Sequence, residues 1–227
     1  MPNFNIIKEN KIDLSSFRVK SVVDMFDLQL DKVKENFQGQ IDLDENWNVG
    51  IIVGASGTGK STIMRELFND YVVENNKYTS NSVIDDMPKG KSVKEITCAF
   101  NSVGFSSPPS WLKPYSVLSN GEKMRVDLAN GILSDKDFIV FDEFTSVVNR
   151  EVAKIGSYAI QKAIRKQNKK FIAVSCHYDI IDWLEPDWVF CTDDMTFTRL
   201  KKKDQKFELV SMNAKGVYGK CLKNIII

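Results

Sequence analysis

At 227 residues, 43% hydrophobic and 27% charged, the chain is long enough for one sizeable α/β domain and too short for two. A formal net charge of +1 argues against a whole-surface basic footprint for nucleic acid, and no apolar run approaches the roughly 18 residues that span a bilayer. Cys98, Cys176, Cys191 and Cys221 form no C-x-x-C pair and Met1 to Asn10 carry no charged-then-apolar export pattern, so zinc is not expected and reduced thiols in the cytosol are.

Phe17 to Leu28 is rich in β-branched and aromatic residues and predicts one or two strands; Lys34 to Leu43 predicts another. Gly50 to Val53 reads as a short buried strand and Ser61 to Asn69 as the helix behind it. Tyr71 to Lys94, with turn signals at Asp85-Asp86 and Pro88-Lys89-Gly90, reads as connecting structure. Ser106 to Ser110, with two prolines, reads as a rigid polar loop. Helices follow at Glu122 to Leu133 and Glu151 to Gln167, and buried strands at Phe138 to Phe141, Phe171 to Ser175 and Val189 to Cys191. Strands alternating with helices imply a mostly parallel sheet with crossovers. After Leu200, Lys201-Lys202-Lys203 opens a polar extension, 201–227, read as a solvated hairpin appended to a domain at 1–200.

One stretch carries the first chemical signal. Gly54-Ala55-Ser56-Gly57-Thr58-Gly59-Lys60-Ser61 follows a strand and opens a helix in the spacing G-x-x-x-x-G-K-[ST]. Glycines let backbone N–H groups converge on phosphate oxygens. Lys60 would reach the terminal phosphates as a point charge, the Ser61 hydroxyl would ligate Mg²⁺, and Thr62 sits on the same first turn, whose positive dipole end faces the anion. The pattern predicts a nucleoside-triphosphate site.

Phe138-Ile139-Val140-Phe141-Asp142-Glu143 is an apolar strand ending in two carboxylates, at the end where open α/β sheets place ligands. Asp142 there would help hold Mg²⁺ and Glu143 would polarise a water. Upstream, Leu118-Ser119-Asn120-Gly121-Glu122 is a helix start in which Ser119 and Glu122 complete a capping box, and a capped helix N-terminus is a second anion site.

Phosphate loop, then L-S-x-G-E, then a strand ending Asp-Glu, in this order, resembles the ATPase domain of the ABC superfamily over roughly Phe17 to Cys191. The resemblance implies an α/β P-loop fold with a mostly parallel sheet flanked by helices, an N-terminal antiparallel β subdomain and a much reduced helical subdomain. It implies ATP and Mg²⁺ as ligands, with Lys60, Glu143 and His177 catalytic. Gly54 to Thr62 would hold the nucleotide, and Ser119 and Gly121 would reach the γ-phosphate of a second subunit in an ATP-dependent head-to-tail homodimer. Phe26 stands where the family stacks an aromatic on adenine, and is equally suited to a core position. Ser146 to Asn149 takes the D-loop position, with Asn149 replacing the usual aspartate. Asn101 is the nearest equivalent of the glutamine that lines the metal and water, which would add it to Ser61 and Asp142 as a metal ligand.

Taking Asn101 as that position leaves about seventeen residues before Leu118, too few for the helical subdomain that receives a transmembrane subunit. The expectation is a cytoplasmic ATPase acting on DNA or a protein partner, nearest to ABC-type ATPases found joined to a predicted acetyltransferase domain. A transporter subunit is the runner-up, and a nucleotide-gated binding module with negligible turnover the third reading. Trp111, in the loop Pro108-Pro109-Ser110-Trp111, is either a partner hot spot or a lid folded back on the shortened subdomain.

Overall fold

The computed structural model describes residues 3–9, 13–28, 34–44, 46–73, 78–136 and 138–200. The polar extension expected at 201–227 lies outside the described residues. Strand β1 (Asn3–Glu9) pairs antiparallel with β2 (Lys34–Gln40), and helix α1 (Phe17–Met25) lies between them in the chain. The strands expected over Phe17 to Leu28 are therefore replaced by a helix. None of its residues is buried, and Lys20 N–H already donates to Ser16 O at 3.0 Å. Local helical bonds satisfy the backbone, and the β-branched residues of this stretch pack into no core.

Next come β3 (Val49–Val53) and α2 (Lys60–Phe68), then a stretch at Tyr71 to Val73 in which Val72 bridges Val140 in parallel. Residues 78–92 are irregular, as expected. Helix α3 (Val93–Ser102) is not: Ser92 and Glu95 close a capping box that the connecting-structure reading passed over. The two prolines of the expected loop open a one-turn helix, α4 (Pro108–Trp111), because proline fits the first helical position, whose N–H has no intrahelical partner. Helix α5 (Asn120–Leu133), β4 (Phe138–Phe141), α6 (Arg150–Gln167) and β5 (Lys170–Ser175) fall within a residue or two of their expected bounds. The short helix α7 (Ile180–Leu184), β6 (Trp188–Cys191) and β7 (Thr196–Arg199) complete the described chain.

The main sheet has the order β4-β5-β3-β6-β7, with the first four strands parallel and β7 antiparallel at the edge. Alternate residues of the central strands feed two cores. Val49, Ile51, Val53, Phe171 and Ala173 pack with Phe100, Val126, Leu128 and Ile164 from α3, α5 and α6. Ile52, Ile172 and Val174 pack with Ile63, Met64 and Phe68 of α2, and with Phe4 and Phe37 of the small β1–β2 sheet. Gly50 is needed in β3 because the Trp188 indole covers it: a Cβ there would stand 2.1 Å from the ring.

The helical layer is small, but it begins earlier than the Asn101 reading supposed. Val73 N–H bonds Val140 O at 2.8 Å, and α3 and α4 both lie between that contact and Leu118. Trp111 belongs to this layer's core: its Nε1–H donates to Phe105 O at 2.9 Å and its ring lies 5.7 Å from that of Phe100. The lid reading of Trp111 holds, and Leu112 beside it is the exposed residue.

Candidate nucleotide site

β3 runs into the loop Gly54 to Gly59, and α2 starts at Lys60. Gly57 and Gly59 take φ of +86° and +87°, where side chains are strained, and a Cβ on Gly59 would stand 2.3 Å from the Phe37 ring. Phe37 thereby seats the β1–β2 ribbon on the loop. No side chain caps α2, which leaves its first N–H groups to an anion. The Lys60 ammonium donates to Ala55 O at 2.6 Å, folded back over its own loop.

At the mouth of β4 the Ser61 hydroxyl donates to Asp142 Oδ1 at 3.2 Å, and the same oxygen accepts the Glu143 N–H at 2.9 Å. Glu143 and Thr145 have φ of +50° and +67°, a conformation costing non-glycine residues of order 1–3 kcal/mol each. Between them Phe144 is fully buried, edge-on to Phe141 and Phe171, and its N–H donates to Val174 O at 2.8 Å. That anchor holds the strained turn and leaves the Glu143 side chain exposed to the cleft.

The cleft has a volume of about 330 Å³. Ser56, Gly57, Gly59, Lys60, Ser61 and Thr62 form one wall and Asp142, Glu143, Ser146 and Cys176 the other. Lys8 of β1 also lines it, a second cation that no local motif announces. His177 follows Cys176 but does not itself line the cleft; it is half-buried and held by its N–H to Ser175 Oγ at 3.1 Å, and Cys176 Sγ lies 3.8 Å from its Nδ1. Gly54, Ala55 and Thr58 support the loop from outside the cleft lining.

Besides His177 and these loop residues, four further expected residues lie outside the lining. Phe26 caps the C-terminal end of α1, is 67% exposed, and does not line the cleft. Asn101 lies in the last turn of α3, exposed and outside the lining, so the structure does not bring it to Ser61 and Asp142. Ser119 and Gly121 open α5 and do not line the cleft, although Asn120 and Lys123 beside them share a neighbouring pocket with Asp142 and Glu143. The predicted capping box is formed there, and the Ser119 N–H is the main cause holding the Glu122 carboxyl below its usual range. Asn149 is the N-cap of α6, accepting the Val152 N–H at 2.9 Å.

Ser61 and Asp142 are adjacent hard oxygen donors of the kind Mg²⁺ takes together with phosphate and water, so the site fits that ion. Among the described residues no group of three or more His, Cys, Asp and Glu could hold a metal without such outside ligands. No helix among them is long and apolar enough to cross a membrane.

No family model matches the chain. It is similar to the mRNA export factor elf1 of Schizosaccharomyces pombe, 27% identical over 179 residues, covering 68% of this chain and 16% of that protein. Elongation factor 3B of Saccharomyces cerevisiae is 31% identical over 152 residues, 57% of this chain and 14% of that one. A probable metal transport system ATP-binding protein of Thermotoga maritima is 29% identical over 161 residues, 61% and 66% of the two chains. The chain thus spans about one-sixth of the first relative and one-seventh of the second. Among solved structures, the fold resembles MJ0796, a bacterial ABC transporter cassette, in its dimeric form (TM-score 0.54, 14% identity, 69% of this chain and 87% of that one). It also resembles the same cassette in a post-hydrolysis state with ADP and Pi (TM-score 0.57, 14% identity, 74% and 93%). The curated relatives and the cassette backbone together are consistent with an ABC-superfamily ATPase domain.

Proposed function

We propose that the chain binds Mg·ATP in the cleft beneath β3 and β4 and hydrolyses it to ADP and phosphate. The observation that carries this reading is the meeting of Ser61 and Asp142 beside the exposed Glu143 carboxylate. Lys60 leaves the Ala55 carbonyl for a phosphate oxygen, and Thr58 Oγ1, already 2.8 Å from that carbonyl, keeps it satisfied. When bound, Mg²⁺ neutralises charge on the phosphate oxygens. Glu143 accepts the proton of the attacking water, and His177 meets the transferring phosphoryl group from the adjoining loop. Ser119 and Gly121, which do not line this cleft, act on the nucleotide of a second copy in a head-to-tail homodimer.

The cellular role we favour is mechanical work on DNA or a protein partner in the cytoplasm. A second reading, the ATPase subunit of a transporter, gains support from the helical layer of α3 and α4, which is larger than the spacing from Asn101 allowed. Lys60→Ala decides the chemistry: it removes one phosphate-directed charge and no core packing. Affinity for a fluorescent ATP analogue should fall about tenfold or more, with phosphate release lost. Release at the parental rate would sink the proposal.

A further inference from the structure

The turn joining β6 to β7 grips the phosphate loop from outside the cleft. Asp193 Oδ1 accepts the Ala55 N–H at 2.8 Å, and its other oxygen accepts the Tyr178 hydroxyl proton. From the same turn Thr192 places Oγ1 2.5 Å from Thr58 Oγ1 and donates to Val53 O at 3.3 Å. Gly54 runs beneath: a Cβ there would stand 2.1 Å from Thr192 Oγ1 and 3.2 Å from Asp193 Oδ1. Both backbone polar groups of Ala55 are therefore held, the N–H by Asp193 and the carbonyl by Lys60 and Thr58.

These contacts differ in what nucleotide does to them. Lys60 must leave when it turns to a phosphate. Asp193 has no such reason to move, because neither it nor Ala55 lines the cleft. The Tyr178 hydroxyl and the Ala55 N–H hold the Asp193 carboxyl below its ordinary value, so it is ionised at neutral pH. The hydrogen bond to Asp193, with burial and then the carboxylate charge behind it, pushes the Tyr178 hydroxyl up to about 12, which keeps that proton in place as a donor. Tyr178 directly follows His177. One carboxylate therefore ties the loop carrying Lys60 to the loop carrying His177.

We propose that Asp193 and Tyr178 are positioning residues that set the phosphate loop and the His177 loop in one frame before nucleotide arrives. The inference rests on the hydrolysis reading above. It differs from a merely stabilising turn in how the two contacts divide the kinetics. Asp193→Ala frees both loops, Asp193→Asn keeps an oxygen to accept the Ala55 N–H, and Tyr178→Phe frees the His177 loop alone.

The experiment measures phosphate release and binding of a fluorescent Mg·ATP analogue in these three variants beside the parental protein, with melting temperatures for each. Tyr178→Phe should lower kcat about tenfold with KM near parental, since only alignment of the second loop is lost. Asp193→Ala should weaken analogue binding about fivefold or more and lower kcat as well, and Asp193→Asn should restore binding to within about twofold. Parental kcat and KM in Tyr178→Phe, a lowered melting temperature as the sole change, or Asp193→Asn as weak in binding as Asp193→Ala would each overturn the proposal. If the parental protein binds the analogue but releases no phosphate, hydrolysis falls as a function. The latch is then judged on binding alone, standing if asparagine rescues what alanine loses and falling if it does not.

Discussion

Ser61 and Asp142, 81 residues apart in the chain, meet through a hydroxyl-to-carboxylate hydrogen bond of 3.2 Å at the ends of two different elements. The pairing pre-orients both oxygens, so the ion they share with phosphate should be sensitive to the charge on Asp142. Asp142→Asn retains the shape and an accepting oxygen but loses that charge. Half-maximal activity should then need about tenfold more Mg²⁺. A titration of phosphate release against Mg²⁺ checks this, and an unchanged midpoint would remove Asp142 from the metal site.

Glu143→Gln should leave nucleotide affinity near parental while cutting kcat about a hundredfold or more, because an amide cannot take the water's proton. Nucleotide held unhydrolysed should also trap the head-to-tail pair. Light scattering with and without Mg·ATP reads this directly: a monomer in both conditions counts against the dimer.

Asp187 gives a stability prediction with a defined sign. Burial alone would raise its carboxyl, but the Val49 and Asn48 N–H donors and the Arg165 guanidinium outweigh that and hold it below the usual carboxylate value. A depressed folded value means its contribution is present above the unfolded value of about 3.9 and is lost as pH falls through the folded one. Asp127 runs the other way. Burial raises it despite hydroxyl donors from Tyr78 and Tyr115, so its contribution grows on acidification. The difference between parental protein and Asp187→Asn isolates the first effect. The variant should melt lower at pH 7, and the gap should narrow below about pH 4. A gap constant with pH would show that Asp187 does not titrate in this way.

Trp111→Ala should destabilise the fold, not a docking surface. It removes an indole packed on Phe100 and orphans the Phe105 carbonyl, a loss of about 2 kcal/mol or more and a fall in melting temperature of roughly 5 °C or more. An unchanged melting temperature would reopen the partner reading for this residue.

The parts of the fold legible in the chain were those whose cause is local. β3, β4 and β5 are apolar runs, α6 is amphipathic, the glycine loop has a fixed spacing, and Ser119 with Glu122 writes its own cap. The same local grammar at Ser92 and Glu95 would have found α3, and with it the true start of the helical layer. Asn101 was placed by spacing alone and does not line the cleft, whereas the parallel bridge from Val72 to Val140 is a tertiary fact that spacing cannot report. Over α1 composition favoured a strand, but the backbone satisfies itself in local helical bonds instead. Lys8 and Asp193 carry no motif at all. Asp193 reaches Ala55 across 138 residues, and Lys8 arrives only because the β1–β2 ribbon is seated on the loop through Phe37.

The absent side chain at Gly50 reaches further than its own packing. Trp188 can lie over β3 only where nothing projects from it, and shifting β6 by two residues would drive the indole into Ile52. That single vacancy in the strand fixes the offset between β3 and β6, pairing Val53 with Cys191 and delivering Thr192 and Asp193 to Gly54 and Ala55. An indole in the apolar interior thus works as an index mark, and the address it sets is read at the far end of the strand, where the phosphate loop begins.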